Sequence, residues 1–456
     1  MLHTSTSALT ESRVVAANVL ADLRGGEKLD LAFDRRVDES GLDARDRRWT
    51  QELVYGMLRR RAWLDAILAS RVRGGLARLE ADLTDLLRLG ANQLLYMHSV
   101  PAYAAIAQTV ELAKRRHGLG ASKLVNAVLR RVDRERDVLD PTRERAVSDP
   151  IDRLALEHSH PRWLVARWVA RWGAAETAQL LATNNAEAPV ILRPFGIVRE
   201  QLEAMLEASG IATDDVPLVQ DSLRLAGSAG GGGAAQLSEL GAYRQGLFFV
   251  QDPAATLVAR YASVPSGACV VDLCAAPGGK ALELSRDASL VLAADRSLQR
   301  LARLRENVRR LDARNIVLLQ ADAKQPPVRN ADAVLLDAPC SGTGAFRRHP
   351  DARWRLAASD IASLSAMQRD FLAAAARVVR PGGLLVYATC TLEPEENDSQ
   401  VEAFLAEHPD FQLEPPREGV VPDAVMDAGR LRVLPQRHGV DGAFAARLRR
   451  VGGRTE

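Results

Sequence analysis

The most restrictive feature of this sequence is a change of hydrophobic period between its two halves. In the first 140 residues, apolar side chains recur every three or four positions, which is typical of amphipathic helices. From about residue 245, short apolar runs alternate with helical stretches, which is typical of a parallel α/β sheet. At 456 residues, the chain is long enough for two or three domains. The sequence therefore predicts an all-α region followed by an α/β domain.

The helical half is predicted to be a compact bundle, because short amphipathic helices bury their apolar faces against one another. Glycine-containing breaks and Pro101 separate the helical segments. The predicted helices span Ser12–Leu23, Gln51–Leu68, Leu83–Met97, Tyr103–Lys114 and Ala121–Val132. We therefore expect residues 1–140 to form one helical domain.

The stretch after Asp140-Pro141 has mixed character. A helical pair is predicted at about residues 162–183, followed by a strand at Pro189–Pro194 and a helix at Arg199–Ala208. The glycine-rich run 227–233 is predicted to be a flexible loop without chemistry, because glycine is costly to order in regular structure. Residues 150–240 are accordingly interpreted as a small α+β connector.

Residues 245–452 are predicted to form a Rossmann-like α/β domain, because apolar strands alternate with helices such as Leu298–Leu311 and Ser363–Val379. The predicted strands are Cys269–Leu273, Leu290–Ala294, Ile316–Gln320, Ala333–Leu336 and Leu384–Ala388. In sheets of this kind, ligands bind at the carboxyl ends of the strands. Residues that directly follow these strands are therefore the candidates for chemistry.

A glycine loop follows the first of these strands. Gly278 and Gly279 allow the backbone to approach a ligand, and the helix beginning near Lys280 offers unpaired N–H groups. The candidate cofactor-binding loop consists of Cys274, Ala275, Ala276, Pro277, Gly278, Gly279 and Lys280. It is neither the dinucleotide fingerprint nor a P-loop, and alone it is weak evidence for a cofactor.

Three acids follow the next three strands. Asp295 ends the second strand, where an acid can accept both hydrogens of a ribose diol. Asp322 and Asp337 come at the ends of the third and fourth strands. Each acid alone could cap a loop, but three of them beside a glycine loop predict a ribose-containing cofactor. Because neither nucleotide motif is present, the pattern indicates S-adenosylmethionine.

All four cysteines lie in the α/β half. They are too few for a disulfide scaffold, and their spacing does not match a zinc site. Cys269 is predicted to be a buried strand residue and Cys274 a small wall of the cofactor loop. Cys340 and Cys390 follow the fourth and fifth strands, so both thiols are expected at the rim that carries the acids.

A nucleophilic thiol beside a methyl donor has a specific use. Cytosine C5 is a poor nucleophile, but addition of a thiolate to C6 enables C5 to attack a methylsulfonium group. The C5 proton must then leave so that the thiol can be eliminated. The base must be presented unpaired, so we expect a single-stranded or flipped-out cytosine. The residues alone do not rank Cys340 against Cys390 as the nucleophile.

Composition limits the location and the partners of the chain. No apolar run reaches the roughly 18 residues of a membrane span, and the N-terminus lacks the pattern of a secretory signal, so a cytoplasmic protein is expected. The net charge of +2 says little about partners. Basic clusters at 45–48, 59–61, 114–116 and 130–131 could contact phosphates or form solvated helix faces.

Several of these motifs resemble the Nol1/Nop2/Sun family of RNA cytosine-C5 methyltransferases. The resembling segments are Cys274–Lys280, Asp337–Cys340, Thr389-Cys390, Arg347–Asp351, Leu392–Asn397 and Asp441–Phe444. In the helical half, QELVYGMLRRR, LRLGANQLLY and NAVLRR resemble the NusB-like RNA-binding domain fused to the bacterial members that act on 16S rRNA. The resemblance covers nearly the whole chain, and the pair of cysteine motifs is highly specific.

The resemblance implies a role for each rim residue. It makes Cys390 the nucleophile that attacks C6 and Cys340 the residue that assists release, with Asp337 contacting the base or the cofactor. It also implies that the glycine loop, Asp295 and Asp322 hold S-adenosylmethionine. The expected partner is 16S rRNA, and the protein is expected to be a monomer without a metal.

Two local departures from the family pattern concern the connector. Arg193-Pro194-Phe195 stands where the family usually has Arg, then Val or Ile, then Asn, and the glycine run 227–233 looks like an insertion. Both departures call into question how the protein positions RNA, and they do not affect the residues of the predicted methyl-transfer chemistry. Two alternatives stay open at this point: the same reaction on tRNA or 23S rRNA, and an RNA-binding assembly factor with an inactive methyltransferase domain.

Overall fold

A computed structural model describes residues 9–144, 146–226 and 237–452. The chain divides into two compact units. The first unit extends to Glu187 and also includes Arg347–Arg355, whereas the second consists of Ala188–Phe346 and the chain from Leu356 onward. The glycine run 227–233, predicted to be a loop, lies outside the described residues.

The first unit is helical, as the 3.6-residue periodicity predicts. Its core is built from buried leucines and valines such as Leu53, Leu87 and Leu129. The helices span Glu11–Arg24, Leu29–Ser40, Ala44–Arg59, Arg61–Ala69, Ala81–Tyr96, Ala102–Glu135, Pro141–Glu144, Pro150–Glu157, Arg162–Asn185 and Ala352–Arg355, with 3-10 turns at Leu76–Arg78 and Arg136–Val138. The two helices predicted at Tyr103–Lys114 and Ala121–Val132 are parts of Ala102–Glu135, which kinks at Gly118, where φ is +82°.

The segment Arg347–Arg355 packs in the first unit, although its sequence neighbours belong to the second. Arg353 is fully buried and donates to Asn185 Oδ1 at 2.7 Å and to the Asn184 carbonyl at 2.9 Å. Trp354 Nε1 donates to the Leu58 carbonyl at 2.8 Å. Desolvation lowers the pKa of Arg353 to about 9. A stretch that the sequence places in the α/β half is thus anchored among helices.

The second unit begins with a small antiparallel sheet, whose order among the described residues is β2-β3-β1-β4. Its strands are β1 (Ile191–Pro194), β2 (Thr213–Asp215), β3 (Leu223–Leu225) and β4 (Phe248–Val250). The helices Arg199–Ala208 and Gly241–Arg244 accompany it, and Leu192, Leu202 and Phe248 lie in its core.

A larger mixed sheet makes up the rest of the second unit. Its strands are β5 (Cys269–Leu273), β6 (Leu290–Asp295), β7 (Ile316–Gln320), β8 (Ala331–Asp337), β9 (Val379–Thr389), β10 (Phe411–Leu413), β11 (Met426–Asp427), β12 (Arg430–Val433) and β13 (Ala443–Arg450). Among the described residues the order is β11-β12-β13-β9-β8-β5-β6-β7, with β10 also paired to β13. The strands from β9 to β7 are mutually parallel, and the pairs beyond β9 are antiparallel.

Helices connect and flank these strands. They span Pro253–Ala262, Gly279–Leu284, Leu298–Arg310, Ala358–Ala376, Asp398–Glu407 and Pro435–His438, with 3-10 turns at Pro394–Glu396 and Asp423–Val425. Apolar residues of the strands fill the core, including Val271, Val334 and Leu385. In the part of the chain that the structure describes, no helix combines the length and the apolar character needed to cross a membrane.

The predicted fold class is confirmed: a helical region, a small α+β part and a Rossmann-like α/β domain. The five predicted strands are present, although β9 is longer than predicted. The sequence pattern did not indicate β13, because alanine and arginine are poor strand formers and its pairing with β9 compensates for this. The predicted helix Gln51–Leu68 is also divided, because Arg60 departs from helical geometry.

Candidate active site

Three neighbouring strands bring the glycine loop, Asp337 and the two rim cysteines together. β8, β5 and β9 end at Asp337, Leu273 and Thr389, and β8 pairs with both of the others. Because these strands are parallel, their carboxyl ends lie at one edge of the sheet. The glycine loop, the Cys340 loop and the Cys390 loop therefore leave the sheet side by side.

The two thiols meet at this edge. Cys340 Sγ and Cys390 Sγ are 3.4 Å apart, and Cys390 is exposed. Two hydrogen bonds join their loops: Gly344 N–H donates to the Cys390 carbonyl at 3.0 Å, and Leu392 N–H donates to the Thr343 side-chain oxygen Oγ1 at 2.9 Å. The structure thus brings together two cysteines that are 50 residues apart in the sequence.

Glycines make this close approach possible. A Cβ added to Gly344 would lie 2.8 Å from the Cys390 carbonyl oxygen and 2.8 Å from Gly442 Cα. A Cβ added to Gly442 would likewise lie 2.8 Å from Gly344 Cα. The Gly344 and Gly442 backbones therefore pack against each other beside Cys390 with no room for a side chain.

The surroundings distinguish the two thiols. The hydrogen bond with Cys390 raises the pKa of Cys340 well above its ordinary value, and burial and the charges of Cys390 and Glu396 act in the same direction. Cys340 is thereby held as a thiol that can donate to Cys390. The sequence alone could not make this distinction.

The other two cysteines differ from each other. Cys274 lies in the predicted cofactor loop and has a left-handed φ of +71°. Burial, followed by the nearby acids, raises its pKa to about 12, so it stays a thiol. Cys269 was predicted to be buried, but it is partly exposed. The prediction is wrong because Cys269 is the first residue of β5, where the strand leaves the core.

Lys280 connects the glycine loop to the strand that leads to Cys340. Its Nζ lies 2.7 Å from Asp337 Oδ2. Burial opposes the charge of Lys280, but the ion pair and hydrogen bond with Asp337 outweigh burial, and the charge of Cys390 adds to them, so the pKa of Lys280 is raised. A fixed cation therefore lies at the rim, with Asp337 as its partner.

The three predicted acids do not share one environment. Asp295 is buried at the end of β6, accepts from Ala276 N–H at 3.3 Å and Ser297 N–H at 2.9 Å, and pairs with Arg300 at 3.3 Å. Asp337 pairs with Lys280. Asp322 is exposed and accepts from Lys324 N–H at 2.9 Å, which is a local turn contact.

Asp272 is a functional candidate that the sequence analysis did not single out. It lies inside β5 and is fully buried, and within the described residues neither of its carboxylate oxygens has a hydrogen-bond partner. Burial raises its pKa well above the ordinary value, and Asp337 adds to this effect. The sequence did contain a signal for Asp272, namely an acidic residue within an apolar strand. Buried acids are rare without a partner, so such a position suggests a functional role.

Arg193, the residue of the connector segment that matches the family pattern, has a structural role. This arginine of β1 is buried and pairs with Glu283 at 2.7 Å and with Asp221. Arg260 and Arg286 also contact Glu283, at 3.2 and 2.9 Å. The Arg193 side chain therefore belongs to an internal ion-pair cluster of the second unit.

Some members of the basic clusters in the helical unit have partners within that unit. Arg47 forms an ion pair with Asp34 at 2.9 Å, and Arg131 forms one with Glu135 at 2.8 Å. Arg60 lies over the ring of Tyr96, 4.3 Å from its centroid. These contacts favour structural roles for Arg47 and Arg60, whereas Arg45, Lys114, Arg115 and Arg130 are exposed. Among the described residues, no group of three or more His, Cys, Asp or Glu side chains is arranged to hold a metal ion.

The sheet order and the loops at its edge define the class of this protein: a Rossmann-like methyltransferase with a helical N-terminal region. Three family descriptions match consecutive parts of the chain. They are "NusB family" at residues 10–134, "Methyltr_RsmF/B-like, ferredoxin-like domain" at 160–230 and "16S rRNA methyltransferase RsmB/F" at 263–449. Together with the relatives below, these matches show that the chain belongs to the RsmB/F family of 16S rRNA methyltransferases.

The relatives match the chain over nearly its whole length. The ribosomal RNA small subunit methyltransferase B of Pseudomonas putida is 35% identical over 458 residues, covering 96% of this chain and 98% of that protein. The protein of the same name from Sodalis glossinidius is 34% identical, covering 96% and 97%.

Solved structures share the fold. The crystal structure of PH0851 is 25% identical and covers 96% of this chain and 98% of its own, with a TM-score of 0.80. The crystal structure of NSun6 from Pyrococcus horikoshii is 23% identical and covers 63% of this chain and 97% of its own, with a TM-score of 0.54.

Proposed function

We propose that this protein transfers a methyl group from S-adenosylmethionine to C5 of a specific cytosine in 16S rRNA, through a covalent bond between Cys390 and C6. The observation that carries the proposal is the 3.4 Å distance between the Cys340 and Cys390 sulfurs at the sheet edge. Family membership and the names of the relatives support an rRNA substrate and a methyl donor of the S-adenosylmethionine type.

The residues at the sheet edge suit that cofactor. Asp272 has buried carboxylate oxygens without a partner among the described residues, which suits the cofactor's ammonium group. Asp295 at the end of β6 suits a ribose diol. The loop Cys274–Lys280 would supply backbone groups, whereas Asp322, with its local partner, is the weakest member of the proposed set. When bound, S-adenosylmethionine supplies an electrophilic methyl group.

In the proposed mechanism, the chain's own residues activate the cytosine. Cys390 forms a bond with C6, and the electrons of the C5–C6 double bond move to C5, which takes the methyl group. Cys340, held as a thiol, donates to Cys390 and stabilises its thiolate before attack. Lys280 and Asp337 provide fixed charges beside the ring.

Release requires that C5 lose its proton, so that the electrons return and the sulfur–C6 bond breaks. Once Cys390 is bound to carbon, its negative charge no longer opposes ionisation of Cys340. The pKa of Cys340 should then fall, so that Cys340 can lose its proton to solvent, accept the C5 proton as a thiolate and return to the thiol form as the Cys390 thiolate leaves C6. The helical region at residues 1–140, the connector at 150–240 and the domain at 245–452 would divide RNA binding, positioning and chemistry among them.

Two substitutions test the assigned roles. Cys390→Ala should abolish methyl transfer while S-adenosylmethionine still binds, and Cys340→Ser should accumulate an RNA–protein adduct on a denaturing gel. Cys269→Ser is the matched control, because Cys269 is at the opposite end of β5 from the glycine loop. Substantial turnover by the Cys390 variant would refute the nucleophile assignment.

The substrate is tested separately. Bisulfite sequencing of rRNA from a deletion strain, with and without the restored protein, should show one 16S cytosine that loses and regains its methyl group. A change confined to 23S rRNA or tRNA would instead support the same chemistry on another RNA. Failure of the protein to bind S-adenosylmethionine in calorimetry would favour a non-catalytic assembly factor.

A further inference from the structure

A buried acid next to the two cysteine loops has no part in the proposed mechanism. Glu396 belongs to the 3-10 turn Pro394–Glu396, six residues after Cys390, and its side chain is fully buried. Burial of a carboxylate is costly unless hydrogen bonds compensate for the lost water. The contacts of Glu396 therefore indicate which parts of the site the buried carboxylate stabilises.

The Glu396 carboxylate contacts both cysteine loops. Its Oε1 accepts from the Ser341 backbone N–H at 2.9 Å and from Gln368 Nε2 at 2.9 Å. Its Oε2 accepts from Thr391 Oγ1 at 2.9 Å and from the Ser341 hydroxyl. Ser341 directly follows Cys340 in the sequence, and Thr391 directly follows Cys390. The carboxylate thus holds the residue next to each thiol.

Further contacts hold the same loops. Gln368 Nε2 also donates to the Pro339 carbonyl at 3.0 Å, on the other side of Cys340. Asn397 Nδ2 donates to the Thr391 carbonyl at 2.9 Å. The Tyr387 hydroxyl donates to the Glu396 carbonyl at 2.7 Å, which fixes the turn to β9. Glu396 therefore lies at the centre of a hydrogen-bond network that holds both cysteine loops.

An ionised carboxylate satisfies these partners in the directions in which the structure orients them. Each of the four contacts places a donor on an oxygen of Glu396, and an ionised carboxylate accepts at both oxygens. An amide of the same shape would present its NH₂ group either to two N–H donors, which cannot accept, or to the Ser341 and Thr391 hydroxyls, which would have to turn and accept instead of donating. Burial raises the pKa of Glu396 above its ordinary value, and the hydrogen bonds from Ser341, Gln368 and Thr391 offset only part of this rise.

We propose that Glu396 is a positioning residue that holds the Cys340 and Cys390 loops at the separation that cytosine-C5 transfer requires. This inference rests on the proposed function, because the two thiols must act in succession on one base. Glu396 acts through Ser341 and Thr391, since both of its oxygens are occupied by donors.

The test is Glu396→Gln in the full-length protein. Methyl transfer is measured with labelled S-adenosylmethionine on transcribed 16S rRNA, both free and in partially assembled small subunits. We expect kcat to fall on the order of 100-fold, the loss that a displacement of about 1 Å can cause in a catalytic arrangement. KM for RNA and the affinity for S-adenosylmethionine should stay within about twofold, because neither ligand contacts Glu396 in the proposed mechanism. Glu407→Gln, at an exposed helix end, is the matched control.

A second variant addresses misfolding. Ser341→Ala removes one hydroxyl donor but keeps the backbone N–H bond to Glu396, so a smaller loss of kcat is expected. The double variant should be no slower than Glu396→Gln alone, because residues in one network act non-additively. In a Cys340→Ser background, Glu396→Gln should also slow formation of the RNA–protein adduct.

Three results would overturn the inference: wild-type kcat in a folded Glu396→Gln protein, full additivity with Ser341→Ala, or a loss confined to S-adenosylmethionine binding. These results differ from failure of the proposed function. In that case the wild-type protein itself would not place a methyl group on C5 of an rRNA cytosine.

Discussion

The close packing of Gly344 offers a sharp test of how the site positions Cys390, the proposed nucleophile. The added methyl group of Gly344→Ala would lie 2.8 Å from the Cys390 carbonyl oxygen and from Gly442 Cα, whereas ordinary contacts of a Cβ begin at about 3.4 Å. Both neighbours are backbone atoms, so no side-chain rotation relieves the clash. The Cys390 backbone or the Gly344 loop must therefore move by about 0.6 Å.

This displacement sets the expected magnitude. If 1 Å of misplacement costs on the order of 100-fold in rate, a shift of about 0.6 Å should lower kcat by roughly tenfold. Overpacking should also lower the free energy of unfolding by about 1–3 kcal/mol. The affinity for S-adenosylmethionine should be unchanged, because the cofactor loop follows a different strand, β5.

The assay is methyl transfer to 16S rRNA under saturating cofactor, with unfolding followed by denaturant titration. Gly120→Ala is the control, because no heavy atom lies within 4 Å of the added methyl group in its exposed helical position. That variant should keep wild-type kcat and gain up to about 1 kcal/mol of stability. Wild-type kcat in folded Gly344→Ala would refute the argument that this close approach positions Cys390.

Other parts of the structure make further predictions. Asp272→Asn should weaken S-adenosylmethionine binding about tenfold or more, because a charged partner for the ammonium group is lost; unchanged affinity in calorimetry would contradict this. Arg193→Met should cost about 3 kcal/mol of unfolding free energy, near the lower limit for breaking a buried ion pair, because other arginines still contact the remaining acid; denaturant titration measures it. The hydrogen bond from Arg449, burial notwithstanding, lowers the pKa of Glu414 from 4.5 to about 2. The stabilisation of the fold by ionised Glu414 should be complete above about pH 4.5 and disappear as the pH falls towards 2. The difference in unfolding free energy between the wild-type protein and Glu414→Gln should therefore shrink over that range.

Much of the site was predictable because local patterns encode it. Strand periodicity placed the ends of β5, β8 and β9, and the rule for parallel sheets placed their loops at one edge. Asp272 and Glu396 were not predicted as site residues, because their importance depends on burial and on partners distant in the sequence. The contact between Glu396 and Ser341 spans 55 positions. Asp322 shows the converse, since its position after a strand suggested a ligand and its side chain caps a local turn.

By itself, the sequence determined the order of helices and strands, the loops that follow the strands and the four cysteines, because these depend on short-range periodicity and turn chemistry. The tertiary structure alone decided which of those groups meet. It placed the Cys340 and Cys390 sulfurs 3.4 Å apart, paired Lys280 with Asp337 and moved Arg347–Arg355 into the helical unit. The physical reason is that strand order and burial are cooperative properties of the folded chain, and they set both the distances and the proton affinities on which the chemistry depends.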